Sequence, residues 1–274
     1  CDIGYTTVTV RMSNYGANPQ SLIPFRYAVN GLDAGVNQPQ DGFYTGVLGK
    51  DSSDVLEFDL QYDFSKPGEY EITAFTQLPG DEDSTNNSIT YYVNNRLELP
   101  YFQNFEKWDG GWSVDTASKR ASWAHGTPAK LGINTAASGN NAWVTSLTGL
   151  YNVNEHSYLA SPCFDFSKLT EEPVIQFQLN HDLEKSYDGA ALEMSFDNKI
   201  WSKVGKLGEG INWYNEKNTN NSLGEVWSAQ SGGWVLSRHK LTGTKGKNEL
   251  HFRFRLDSDG VVPAEGIAID DVRI

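Results

Sequence analysis

Cysteine is nearly missing: Cys1 and Cys163 are the two found in 274 residues, which excludes the dense disulfide framework of a small stapled domain. Cys1 is a lipidation candidate by position, but a strand begins within about five residues of it and leaves little tether. Positive charge is also scarce, with 22 Lys and Arg against 35 Asp and Glu and a formal charge of −13. Nucleic-acid binding needs a basic face that releases counterions, so that class is excluded. An acidic surface suits solubility and divalent cations instead. No apolar run approaches the roughly 18 to 20 residues of a membrane span, and no signal peptide opens the chain. The abrupt start at Cys1 and the stop at Ile274, straight after an apolar strand, lead to the expectation of a piece of something longer.

Familiar catalytic patterns are absent too. There is no H-E-x-x-H, no G-x-S-x-G elbow and no phosphate-cradling G-x-x-x-x-G-K-[ST] loop. His125, His156, His181, His239 and His251 are scattered. The nearest thing to an acidic cluster is His181, Asp182, Glu184 and Asp188, which falls within eight residues on one connection. Such a group suits a solvated or metal-associated loop better than the carboxylate pair of a glycosidase. The chain is therefore expected not to be an enzyme.

What the sequence does contain is period-two alternation. Val8, Val10 and Met12 alternate with Thr7, Thr9 and Arg11, and Leu56, Phe58, Leu60 and Tyr62 with Glu57, Asp59 and Gln61, the mark of half-buried strands. Further strands read at 25–29, 70–76 and 89–93, separated by the turn signals Asn30-Gly31, Pro67-Gly68 and Pro79-Gly80. Residues 1–95 are expected to form an Ig-like β-sandwich. After a short hinge at Asn94-Asn95-Arg96, residues 96–274 show longer strands at 174–180, 190–196, 249–257 and 267–274. These suit a larger sandwich or jelly roll, so the whole chain reads as all-β.

Two resemblances rest on particular residues. The stretch "CDIGYTTVTVRMSNYG", continued by "KPGEYEITAFTQLPGDEDSTNNSITYYV", resembles the CARDB domains, Ig-like sandwiches related to bacterial cell adhesion. The rest resembles the MAM-like jelly rolls of large bacterial secreted proteins, to which cleaved-adhesin domains are also similar. Its landmarks are "NFEKWDGGWS", "SGNNAWVTSLTGLYNVNEHSYLASPCFDFS", "DGAALEMSFDNKIWSKVG" and "GIAIDDVRI", in that order. The resemblance implies a ligand-binding or structural module, secreted or on the cell surface, attached to the rest of a larger multidomain protein. It also implies a bound metal near the chain ends, where Glu106 in "NFE" and Asp270 or Asp271 in "IDDV" match acidic positions. Structural calcium, which takes six to eight oxygens, is the expected ion, with Asp188 in "YDGA" a weaker candidate ligand. The competing account is that these acids accept hydrogen bonds from strand-end amides or face water.

Ligand-binding candidates come from two places. The long polar stretch 207–233 carries Trp213, Tyr214 and Trp227, whose rings either stack on sugars and anchor a protein partner or tuck down to cap the sandwich. On the last long strands, Leu250, Phe252, Phe254 and Leu256 point one way and His251, Arg253, Arg255 and Asp257 the other. His251, Arg253 and Arg255 either line a groove for acidic sugars or carboxylates, which guanidinium groups bind bidentately, or form a solvated face. The other tryptophans, Trp108, Trp112, Trp123, Trp143, Trp201 and Trp234, are assigned to core packing. The expected function is an adhesive or carbohydrate-binding module whose partner is a glycan or protein surface ligand. The alternative is a spacer or protein-interaction module that positions a separate catalytic domain. Exposed Trp213 and Trp227 lining a cleft would favour the first, and their burial the second.

Overall fold

A computed structural model describes residues 3–33, 43–217, 220 and 222–274, the side chains of 59 and 60 excepted. Cys1, and the facing of Asp59 and Leu60, therefore lie outside the described residues. Among those described, the chain is all-β apart from one short 3-10 turn, Ser84–Asn86. It divides into two compact units, Cys1–Asn95 and Arg96–Ile274.

The first unit holds β1 (Tyr5–Asn14), β2 (Gln20–Val29), β3 (Leu32–Asp33), β4 (Phe43–Leu48), β5 (Ser52–Asp63), β6 (Gly68–Thr76) and β7 (Ser88–Asn95). β1 pairs antiparallel with β5, while β3, β2, β6 and β7 form a second sheet in that order, with β4 also on β2. Asn30 and Gly31 both take positive φ, 52° and 74°, as the tight turn from β2 into β3 requires. The two sheets meet on an aromatic cluster in which Phe58 of β5 lies 5.0 Å from Phe25 and 4.4 Å from Tyr27 of β2, centroid to centroid.

The second unit begins with β8 (Phe102–Gln103), β9 (Ser113–Val114), β10 (Trp123–Gly126), β11 (Ala142–Thr145), β12 (His156–Ala160) and β13 (Val174–Asp182). It continues with β14 (Gly189–Ser195), β15 (Ser202–Lys203), β16 (Glu216–Lys217), β17 (Glu225–Val226), β18 (Val235–Lys240), β19 (His251–Asp257) and β20 (Gly266–Arg273). One sheet runs β10-β11-β20-β13-β18 with β8 added on β20, the other β15-β14-β19-β12-β9. Strands β11, β12, β13 and β14 alternate between the sheets, and so do β18, β19 and β20. That wiring makes a two-sheet sandwich of jelly-roll type. The strands expected at 174–180, 190–196, 249–257 and 267–274 appear as β13, β14, β19 and β20.

The sheets close on aromatic packing. Phe177 of β13 and Phe254 of β19 meet edge to face at 4.9 Å, and both are fully buried. Trp112 stacks on Phe254 at 5.8 Å. Along β19 every second residue, Phe252, Phe254 and Leu256, is buried at 0% exposure, which fixes the strand's facing. We predict that Phe254→Ala, by opening a cavity where both sheets touch, destabilises the second unit by about 3–5 kcal/mol. Denaturant unfolding measures this, and a loss below about 1 kcal/mol would contradict the placement of Phe254.

Candidate functional site

The aromatic stretch 207–233 does not form an exposed platform. Trp213, Tyr214 and Trp227 are 2%, 4% and 1% exposed, which corrects their assignment as ligand-binding residues. The three rings pack on one another, with Trp213 5.1 Å and Tyr214 4.7 Å from Trp227, and the two tryptophans also pack on Phe177. Burial is tolerated because each polar handle has an acceptor. Trp213 Nε1 and the Tyr214 hydroxyl both donate to the Val204 carbonyl, and Trp227 Nε1 donates to that of Asn212. The three rings plug the core, held by the backbone carbonyls of Val204 and Asn212.

Half-buried aromatics stand instead on the face of the five-stranded sheet turned away from the core. Because β19 is central, its outward residues Arg253 and Arg255 are flanked by β12 on one side and by β14 and β15 on the other. Half-buried Tyr158 of β12 lies 3.9 Å from the Arg253 guanidinium, ring centroid to Cζ. From the opposite flank, half-buried Trp201 lies at 4.1 Å. Both distances are those of cation–π contacts. Trp201 was assigned to core packing, and this placement corrects that. Glu193 of β14, paired across from Arg253, accepts from Arg253 Nε at 2.6 Å and from Arg255 Nη1 at 3.3 Å. Arg255 also donates through Nε and Nη2 to Asp257 at 3.0 and 2.5 Å, and through Nη2 to Ser222. The face therefore carries two guanidinium groups, each paired with a carboxylate. His251 sits at its end, 9% exposed, with Nε2 3.3 Å from Glu249, and burial holds its pKa below the usual imidazole value.

The acidic candidates separate into two places. β8 pairs with β20, which brings Glu106, Asp270 and Asp271 around loop 137–141. Glu106 Oε1 accepts from the Asn140 and Asn141 amides at 2.9 and 2.7 Å. Asp270 Oδ2 accepts from the Ala137 and Ser138 amides, and Oδ1 from that of Asp271; Asp271 Oδ1 accepts from the Ser138 hydroxyl. A β-bulge opposite Phe177 and a positive φ at Asp271 turn the two acids toward that loop. At Gly139, which takes a positive φ of 57°, a Cβ would lie 2.3 Å from the Glu106 carboxyl carbon, so a larger residue would displace that carboxylate. Glu106 and Asp270 anchor the loop through its amides and Asp271 through the Ser138 hydroxyl, and among the described residues the three are not a group whose oxygens converge on one point.

Asp188 does belong to such a group. One carboxylate oxygen each from Glu184, Asp188 and Asp259 lies within 4.8 Å of the others, an arrangement that could hold a metal ion. The pairing of Gly189 with Asp257 sets the two connections side by side. Asp188, fully buried, accepts from the Tyr151 hydroxyl at 2.5 Å and the Asp259 amide at 2.8 Å. The Glu184 amide donates in turn to the Tyr151 hydroxyl oxygen. Glu184 Oε2 is buried with no hydrogen-bond partner. Burial, and then the charges of Asp259 and Asp188, raise the Glu184 pKa; burial first also raises that of Asp188.

No family model matches the chain. It is 30% identical over 184 residues to Bacillopeptidase F of Bacillus subtilis, covering 66% of this chain but 11% of that protein's length. Among solved structures it is similar to the K2 cleaved adhesin domain of Lys-gingipain, at 17% identity over 64% of this chain and 97% of that one, with a TM-score of 0.39. The K1 cleaved adhesin domain from Porphyromonas gingivalis is similar at 14% identity, 63% and 95% coverage, and a TM-score of 0.38. A carbohydrate-binding module of the β-sandwich superfamily covers 99% of this chain and 98% of its own at 8% identity and a TM-score of 0.38.

The Asp270 carboxylate yields a prediction. Burial raises its pKa to about 6 from 3.8, despite the amides it accepts from. Between those values the folded state holds a proton that the unfolded state has released. The stabilisation from that proton is complete below about pH 4 and is lost as pH rises through about 6, for a total of about 3 kcal/mol. Chemical unfolding at stepped pH, in chelator, is expected to show this fall in the parent chain and not in Asp270→Asn; equal slopes in both would refute it.

Proposed function

We propose that this chain is a non-catalytic binding module of a larger extracellular protein, and that it attaches to a glycan through the outer face of its five-stranded sheet. The observation that carries the reading is the pair of half-buried rings, Trp201 and Tyr158, held in place on either side of Arg253. Aromatic rings fixed on a rigid strand face present apolar area to the C–H faces of a sugar without losing side-chain freedom on binding. Arg253 Nη groups beside them supply hydrogen-bond donors.

One further feature supports a role as part of a larger protein. The likeness to about one tenth of Bacillopeptidase F fits a chain that is one part of a longer polypeptide whose chemistry lies elsewhere. Among the described residues, no helix is long and apolar enough to cross a membrane. The first unit serves in this reading as a CARDB-like spacer, the second as a MAM-like binding unit. A second reading, that the chain docks or spaces a separate catalytic part, is favoured by the burial of Trp213 and Trp227. Ile89 and Tyr91 of β7, 64% and 70% exposed, favour it too.

A calcium ion held by Glu184, Asp188 and Asp259 completes the reading. The orphaned buried oxygen of Glu184 and the convergence of three carboxylates fit a hard cation that takes oxygen ligands. The ion would neutralise their mutual repulsion and tie the β13–β14 connection to the β19–β20 connection.

Affinity electrophoresis against soluble polysaccharides tests the glycan reading. At least one is expected to retard the parent chain, and Trp201→Ala is expected to weaken retention at least about tenfold with its melting temperature little changed. Failure of every polysaccharide to retard the parent chain would move the assignment to the docking reading. Calcium is expected to raise the melting temperature of the parent and not of Glu184→Gln; a parent melting curve indifferent to both calcium and chelator would refute the ion.

A further inference from the structure

We infer that the glycan is a neutral one, gripped through adjacent hydroxyls by the free edge of Arg253, and not the acidic sugar that a pair of arginines on one strand first suggests. This rests on the glycan-binding reading and adds the chemistry of the ligand. Arg255 is consumed by the protein, since three of its nitrogens already donate to Glu193, Asp257 and Ser222. Arg253 is different. Its Nε is tied to Glu193 and its Cζ lies over the rings of Tyr158 and Trp201, but among the described residues neither Nη nitrogen donates to a protein acceptor. The guanidinium is thus clamped on three sides, with a two-pronged donor edge left over. Two parallel N–H groups suit either a carboxylate or two neighbouring hydroxyl oxygens of a pyranose ring.

Charge decides between them. The positive charges of Arg253, Arg255 and Lys203, the last paired across from Glu193, are opposed by Glu193, Asp257 and Glu225, so an incoming carboxylate meets no surplus of positive charge. It also has to approach a chain of formal charge −13, against the long-range field. A neutral diol meets neither obstacle and takes up the same two donors. Glu193 is then a specificity-determining residue: it orients the fork and cancels the charge that would draw in an acidic ligand.

The test uses the intact two-unit chain and two sets of probes, xylan, glucomannan and galactan as neutral polysaccharides and polygalacturonate and alginate as acidic ones. The expected result is binding to at least one neutral probe and to neither acidic one, with an affinity that does not change between low and high salt. Arg253→Lys, which keeps the charge but loses the fork, is expected to weaken that binding at least about tenfold. Glu193→Gln, which uncovers a positive charge, is expected to gain salt-sensitive binding to the acidic probes. Tighter binding of the parent chain to an acidic probe than to every neutral one overturns the inference and leaves the glycan reading standing, as does neutral binding unaffected by Arg253→Lys. No binding to any probe overturns the glycan reading itself.

Discussion

The facing of β19 is the constraint on which the second unit depends. Phe252, Phe254 and Leu256 are buried at 0% exposure, and β19 is hydrogen-bonded on both sides, to β12 and β14. Because side chains alternate from face to face, a slip of one residue would carry Arg253 and Arg255 into the apolar interior and expose three large hydrophobes. Burying unpaired guanidinium groups is far more costly than any gain from a different pairing. The core contact between Phe254 and Phe177 thus determines which residues meet solvent. The charged and aromatic face is a consequence of the core.

That dependence explains why the fold was largely legible in the sequence. Alternation in 249–257 and in 7–12 is a local signal, and the all-β class follows from it without knowledge of strand partners. The stretch 207–233 was harder to read. Its content of Gly, Asn and Ser is that of an exposed loop, while Trp213, Tyr214 and Trp227 lie within the sandwich. Whether such rings point out or in depends on whether a carbonyl stands within reach of each N–H or O–H. The acceptors here are the carbonyls of Val204 and Asn212, and nothing in the local pattern identifies them.

The site was half legible for the same reason. His251, Arg253 and Arg255 could be placed on one face from alternation alone. Their neighbours Tyr158, Glu193 and Trp201 come from other strands, and only the cross-strand register unites them. The convergent acids behave likewise. Asp188 and Glu184 stand out in the sequence, but Asp259 joins them through the pairing of Gly189 with Asp257. A signal was available in "LDSDG", an acidic turn directly after a strand. Its partner was not, because parity within a strand says nothing about which strand lies beside it. The acids near the chain ends were expected as metal ligands on neighbouring strands; their partners in the fold are the amides of residues 137, 138, 140 and 141, which the sequence does not place beside them.

The inward tuck of Trp213, Tyr214 and Trp227 has a consequence for how such a module can diversify. A recognition surface built on a protruding loop changes by insertion and deletion, and its framework is indifferent to the outcome. Here the three rings carried by that stretch are part of the interior, and shifting them would disturb the packing around Phe177. Variation is therefore channelled to outward positions of β12, β14 and β19, where one side chain can be exchanged for another while its inward neighbours stay in place. Descendants of such a sequence would change what they hold by point substitution on a constant lattice of strands, and their differences would be sparse, spaced two apart, and invisible to any comparison of loop lengths.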